Sequence, residues 1–334
     1  MTSQNRPGAG IAFILVGMFA ISFNDMLIKQ LSGDYPLHEL VFARSGIGIL
    51  FSLIIMQFEG GWGLLKTGKP GLHALRAVMV VIANMSFFAA LAVLPLAEAT
   101  AIFFVAPLLI TLLSIPMLGE KVGPLRLGAV AVGFVGVIIM QRPWAGEDLD
   151  VPRLILMLPV VAALTYAILQ LMTRMLGTTT RASVLAVHIQ MMFIFVSLGF
   201  YVVAGDGRFA DPDGSASLYF LLRPWIWPSD GDWVWFVGLG VNSAVIGYCL
   251  SQAYRMADAA TVAPFEYVGL PLAVLWGWLI WSELPDLPVW IGMALIAGAG
   301  LFVFFRERQK SLRSAHARAP MSERARPDPG ARKD

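Results

Sequence analysis

LPLAEATAIFFVAPLLITLLSIPMLGEKVGPLRLGAVAVGFVGVIIM, residues Leu94 to Met140, is echoed by a second stretch that begins at Met256. In the first copy Glu98 and Thr100 open an apolar run, Pro107 lies within it and Glu120 closes it. Asp258, Thr261, Pro271 and Glu283 hold the same order in the second. A glycine-rich apolar segment follows each copy, with Gly128 and Gly136 matching Gly292 and Gly300 at one spacing, whereas the acidic openers need a small shift. Landmarks repeated in order at one separation mark an internal duplication, so the chain reads as two halves.

Composition says what those halves are made for. Of 334 residues, 57% are hydrophobic and only 14% are charged, far too apolar for a soluble domain. A spanning helix needs roughly 20 mainly apolar residues, and ten such runs are present. The first five cover about Gly8 to Leu31, Leu37 to Phe58, Gly71 to Val93, Glu98 to Leu118 and Leu125 to Met140. The other five cover about Pro152 to Leu176, Ser183 to Ala204, Trp233 to Met256, Ala257 to Trp281 and Pro288 to Phe305. The expected fold is therefore an all-α integral membrane protein of ten transmembrane helices, arranged as two five-helix repeats over residues 8–140 and 152–305. An external insert spans 206–232, and a disordered basic cytoplasmic tail spans 306–334, where nine of the 24 Lys and Arg residues fall. The single cysteine, Cys249, falls in an apolar run and has no internal disulfide partner.

Charge sets the orientation. With the N-terminus inside, the cytoplasmic loops hold Lys66, Lys69, Arg76, Lys121, Arg126, Arg174, Arg181, Arg255 and the tail, against Arg142, Arg153, Arg208 and Arg223 outside. Both termini are thus expected in the cytoplasm of a cell with the protein in its inner membrane. The turn GEKVGPLR of the first copy carries positive charges and its partner SELPDLP carries none, as two turns on opposite membrane sides would. An odd number of helices per half makes the repeat an inverted one. The insert's aromatic segment LYFLLRPWIWP reads as an amphipathic piece lying at the interface, with a substrate-gating lid as the alternative. Small-residue pairs at Ala129 and Gly133, and at Ala294 and Gly298, suit close helix packing within the fold or in a homodimer.

Ionisable groups inside hydrocarbon are costly unless paired or hydrated, which makes them functional candidates. Asp25 and Lys29 share a face of the first helix, and Glu39 and Arg44 lie on the returning second helix. At 1.5 Å per residue, Asp25 and Arg44 both fall roughly 10 Å below the outer boundary and Lys29 and Glu39 nearer to it. Two crossed ion pairs are therefore expected, either pinning the helices or acting as an outer gate. Glu266, between Pro264 and Pro271, is the deepest acid and the main candidate for solute or proton binding. His188 is a relay candidate. Asn24, Asn84, Tyr166, Gln170, Asn242, Tyr248, Gln252 and Tyr267 supply neutral polar groups that suggest a cavity, and each also suits an interhelical hydrogen bond.

Enzyme motifs are missing from the sequence. His38, His73, His188 and His316 are scattered, no HExxH or GxSxG occurs, and GLLKTGKP (Gly63 to Pro70) has Pro70 where a nucleotide-binding loop needs Ser or Thr. No cofactor, metal or nucleic-acid partner is expected; the partners are a small-molecule solute and the lipid bilayer. A channel or sensor on the same scaffold, or an integral-membrane enzyme, is the remaining alternative.

The pattern resembles the EamA-type branch of the drug/metabolite transporter superfamily over about Ile11 to Phe305. The residues that carry the resemblance are FNDMLIK (Phe23 to Lys29), FARSGIG (Phe42 to Gly48), LPLAEATAIFF, PLLITLLSIPMLGE (Pro107 to Glu120) and GLPLAVLWGWLIWSE (Gly269 to Glu283). The resemblance implies ten helices in two inverted repeats around a central cavity, and transport of a small metabolite by alternating access rather than catalysis. The insert is longer than that family's loops, and the shared motifs do not choose among amino acids, vitamins and drug-like solutes.

Overall fold

A computed structural model describes residues 7–65, 69–119, 122–142, 144, 152–176, 181–256 and 263–318. Glu120, Lys121, Asp258, Thr261 and the tail beyond Arg318 lie outside the described residues. The helices are α1 (Pro7–Leu31), α2 (Leu37–Glu59), α3 (Pro70–Leu91), α4 (Leu96–Phe103), α5 (Ala106–Leu118) and α6 (Pro124–Gln141), followed by α7 (Arg153–Leu176), α8 (Ala182–Ala204), α9 (Ala216–Leu222), α10 (Trp233–Met256), α11 (Gly269–Trp281) and α12 (Leu287–Arg318). Short 3-10 turns occupy Trp62–Leu65 and Ala263–Val268. No strand occurs among the described residues.

Local chemistry sets these ends. Pro70 and Pro124 open α3 and α6, where the missing N–H is no loss. Gly119, at φ 70°, closes α5 in the left-handed conformation that only glycine adopts freely. Among the described residues eight helical stretches are long and apolar enough to cross a membrane, and two shorter apolar helices, Leu127–Gln141 and Phe265–Trp281, lie where the sequence predicts a fifth and a ninth span. The chain is a multi-pass membrane protein. Its outer surface carries Phe58, Phe195, Val202 and Phe302, large apolar side chains left exposed for lipid to cover.

Two departures from the sequence reading concern single helices. The fourth run is not continuous: Phe104 and Val105 interrupt it between α4 and α5, just before Pro107. At the other end of the chain, α12 stays helical past Phe305 through Arg318, where the sequence predicts a disordered tail.

Helix pairing follows a simple rule. α3 packs along α7 as α1 does along α10, α2 packs on α10 as α3 does on α8, and α4 and α5 meet α7 as the 3-10 turn and α11 meet α1. The remaining main pairs are α2 with α8, α6 with α12 and α4 with α11. These main pairs map onto one another when α1, α2, α3, α4 with α5, and α6 are exchanged for α7, α8, α10, the 3-10 turn with α11, and α12. Where α6 crosses α12, a Cβ on Gly136 would lie 2.9 Å from the Gly292 carbonyl, and one on Gly292 would lie 2.9 Å from the Gly136 carbonyl. Gly133 likewise packs on Leu108 and Ala299, and Ala129 is buried. In α12 it is Gly292 that makes the close approach; Ala294 and Gly298 face outward, and nothing lies within 4 Å of a Cβ built on Gly298.

One buried cluster gathers Leu27, Leu40, Phe88, Leu91, Leu96 and Phe236, and a second gathers Ile14, Val105, Leu108, Val137, Tyr267 and Ile296. The end of the bundle bearing the α1–α2 turn is called the upper end below, and the opposite end the lower.

Candidate functional site

Three helices deliver the first polar group. α1 contributes Asn24 and Asp25, α2 contributes Arg44 and α3 contributes Asn84. Asn24 Nδ2 donates to Asp25 Oδ1 at 3.2 Å, Arg44 donates to Asn84 Oδ1 at 3.4 Å, and Asn84 Nδ2 donates to the Val80 carbonyl at 3.1 Å. Asp25 and Arg44 are near enough for their charges to interact. Asp25 is enclosed by protein on all sides yet keeps accessible surface, as does Asn84.

A second group forms nearer the lower end. Tyr166 and Gln170 of α7 share a hydrogen bond, and the Glu266 carboxyl of the 3-10 turn acts electrostatically on both Tyr166 and Tyr267. Glu266 thus lies near two phenols. Tyr166 is enclosed but accessible, like Asp25. The Tyr267 hydroxyl is buried with no hydrogen-bond partner among the described residues. It lies so close to α12 that a Cβ on Gly300 would sit 1.8 Å from it. Aromatic rings fill the space around the two groups: Phe103 lies 5.3 Å from Tyr166 and 5.4 Å from Phe87, and Phe104 lies 5.6 Å from Tyr267.

The other candidates lie outside these groups. Asn242 donates to the Ala20 carbonyl at 2.7 Å and so ties α10 to α1. Tyr248 and Gln252 line a hollow of ≈ 400 Å³ with Ile55, Phe58 and Glu59 at the lower end. His188, read from the sequence as a lone histidine, stacks on His73 with ring centroids 5.3 Å apart.

Of the two expected crossed pairs, Asp25 and Arg44 interact through their charges, whereas Lys29 and Glu39 do not meet. Lys29 Nζ pairs with Glu283 at 3.3 Å, donates to the Leu94 carbonyl at 2.9 Å and lies 5.0 Å from the centroid of the Trp281 ring. Glu39 accepts instead from the Ile226 backbone N–H at 3.1 Å. The reason is the shape of the upper end, where the turn after α11 comes closer to Lys29 than the start of α2 does. Glu283 closes the second copy of the repeat, and nothing in the sequence pairs it with Lys29, 254 positions away.

The insert is likewise more than an interfacial segment. Phe220, Ser217 and Arg223 are buried, and Ser217 donates to the Ala89 carbonyl at 2.5 Å. The Arg223 guanidinium donates to the carbonyls of Gly33 at 2.7 Å, Ser32 at 2.9 Å and Tyr35, which satisfies acceptors left over where α1 ends. Burial lowers the Arg223 pKa, and nearby Tyr219, Asp34 and Glu39 oppose that shift. Tyr35 donates its hydroxyl to Asp232 at 2.7 Å, and Ser229 Oγ donates to the same carboxylate at 2.7 Å. These donors hold the Asp232 carboxyl below its ordinary range, the Ser229 bond most strongly. Arg142 and Asp286 form a further ion pair, beside a cavity of ≈ 140 Å³ lined by Pro95, Glu98, Glu283 and Asp286. The upper end is tied shut at several points.

Comparison with known proteins decides the family. Residues 8–142 match the model of the EamA-like transporter family. A riboflavin transporter of Rhizobium johnstonii is 32% identical over 307 residues, covering 92% of this chain and 92% of that protein. The chain belongs to the EamA-like transporter family. This transporter is also 27% identical to an S-adenosylmethionine uptake transporter of Rickettsia prowazekii, over 92% of its own length and 96% of the relative's. Its fold matches a crystal structure at a TM-score of 0.62 and 19% identity, covering 89% of this chain and 98% of that one. The protein is a transporter and not an enzyme.

Proposed function

We propose that this transporter carries a small organic metabolite with a planar heteroaromatic ring across the cytoplasmic membrane by alternating access, with both termini in the cytoplasm and the upper end outside. The observation that carries this reading is the pair of enclosed but accessible polar groups, around Asp25 and around Tyr166 and Glu266, set among aromatic rings. Polar groups orient a solute and rings stack on it. Riboflavin and S-adenosylmethionine, named for the two relatives, both have such a ring beside polar substituents.

The path runs between two inverted five-helix repeats, ten crossings in all. The pairing of helices, unchanged when the halves are exchanged, supports this. So do the matched breaks before Pro107 and Pro271, since discontinuous helices at corresponding places in two halves border the binding site of many transporters. Glu266, in the second break, is the group that takes up a proton when the solute is absent and so couples transport to the proton gradient.

Purified protein in liposomes tests both parts. Saturable uptake and counterflow of riboflavin or S-adenosylmethionine are expected. Glu266→Gln should keep counterflow and lose accumulation driven by a pH gradient. Wild type without counterflow of either solute sinks the substrate class, and equal gradient-driven accumulation in both proteins sinks the role of Glu266.

A further inference from the structure

Arg44 has more donors than partners. Its side chain is buried, at 6% relative exposure, in the middle of an apolar bundle. The guanidinium lies 5.2 Å from the centroid of the Phe193 ring and 5.8 Å from that of Phe88, and these contacts fix its position without using its N–H groups. Its hydrogen bond to Asn84 is long, at 3.4 Å, and its Nε–H has no acceptor among the described residues. Asp25 is near enough to offset the charge, but the carboxylate accepts a hydrogen bond from Asn24. Asn24 Oδ1 and Ser45 Oγ, on or beside the same elements, are also buried without partners. Buried guanidinium N–H groups left unbonded are costly, so the arrangement suits a partner that comes and goes.

We propose that Arg44 is the solute's recognition group, receiving an edge of paired acceptor atoms beside Asp25 and Asn84. A planar fork of donors matches two acceptors side by side, and a lysine's point charge does not. Two solute chemistries present such an edge: a carboxylate, and the C4 carbonyl with N5 of an isoalloxazine ring. The assignment deepens the proposed function and rests on it for the identity of the solutes; it does not involve Glu266.

Four probes test it in liposomes: S-adenosylmethionine with its decarboxylated form, and riboflavin with its 4-thio analogue. In wild type, KM should be about ten- to a hundredfold lower for the member of one pair that keeps its acceptor edge. The pair that shows the gap identifies which chemistry Arg44 reads. In Arg44→Lys, which keeps the charge, that gap should close through a rise in KM for the better probe, with little change for the poorer one. No gap in either pair in wild type overturns the assignment without recourse to any variant. A fall in maximal rate common to all probes in Arg44→Lys, with the gap intact, overturns it in favour of a structural role. If wild type moves none of the four, the substrate class has failed, and Arg44 is judged by thermal stabilisation of the detergent-solubilised protein. There, equal stabilisation by acceptor-bearing and acceptor-stripped probes overturns the assignment as well.

Discussion

At the residue scale, Lys29 decides how the upper end is closed. It joins α1 to the α3–α4 turn through the Leu94 carbonyl and to the end of α11 through Glu283, so one ammonium reaches both halves. Lys29 is mostly buried and Glu283 is about a third exposed, at 11% and 37% side-chain exposure. The bridge is therefore stronger than a surface pair but is still screened. A double-mutant cycle of Lys29→Met and Glu283→Gln should show a coupling on the order of 1 kcal/mol in thermal stability. The cycle of Lys29→Met with Glu39→Gln should be additive, because Glu39 bonds to the Ile226 N–H instead. The reverse result would restore the pairing that helix spacing suggests. That spacing placed Lys29 and Glu39 at the right depth, but depth along a helix does not say which neighbouring turn comes closer.

At the element scale, the crossing of α6 and α12 depends on glycines whose Cβ positions are already taken. Gly136→Ala would put a methyl group 2.9 Å from the Gly292 carbonyl, and the backbone cannot yield as a side-chain tip can. Destabilisation of about 1–3 kcal/mol is expected. Gly298→Ala, on the open face of the same α12, should be neutral or stabilising by about 0.5–1 kcal/mol, since a helical glycine gives up more entropy than alanine. Melting curves in one detergent check both, and equal losses would mean that α12 is rotated from the orientation described. The sequence shows both glycine pairs, yet periodicity alone does not tell which face of α12 meets α6. Legibility followed the same line elsewhere. Apolar runs are local, so the long apolar helices could be read from them, whereas the breaks before Pro107 and Pro271 could not. The partners of Arg223 and His188 could not: they depend on residues 190 and 115 positions away along the chain, His188 meeting His73 and Arg223 meeting Gly33. Of the site, the polar residues were legible one by one. Their division into one group around Asp25 and another around Tyr166 was not, because it depends on helix rotation.

At the scale of the whole molecule, several bonds between segments gather at the upper end. Lys29 with Glu283, Arg142 with Asp286, Arg223 with the α1–α2 turn and Tyr35 with Asp232 all lie at the upper end. At the lower end Ser183 donates to Glu59 at 2.7 Å, and beside it lies the hollow of ≈ 400 Å³ lined by Tyr248 and Gln252. If the bundle works by alternating access in the proposed orientation, ties at the upper end hold the outer side closed and leave the lower hollow open to the cytoplasm. A water-borne thiol reagent should then reach the lower hollow from the cytoplasmic side alone. With Cys249 replaced by alanine, Gln252→Cys should react with a membrane-impermeant maleimide in inside-out vesicles and not in right-side-out ones. Leu284→Cys, in the exposed α11–α12 turn, should show the reverse pattern. Adding Lys29→Met weakens the upper clasp and shifts the population toward the opposite conformer, so labelling of Gln252→Cys should slow. Labelling of Gln252→Cys from outside and of Leu284→Cys from inside would reverse the proposed topology, and an unchanged rate in the Lys29→Met background would mean that the bridge to Glu283 joins parts that do not separate during transport.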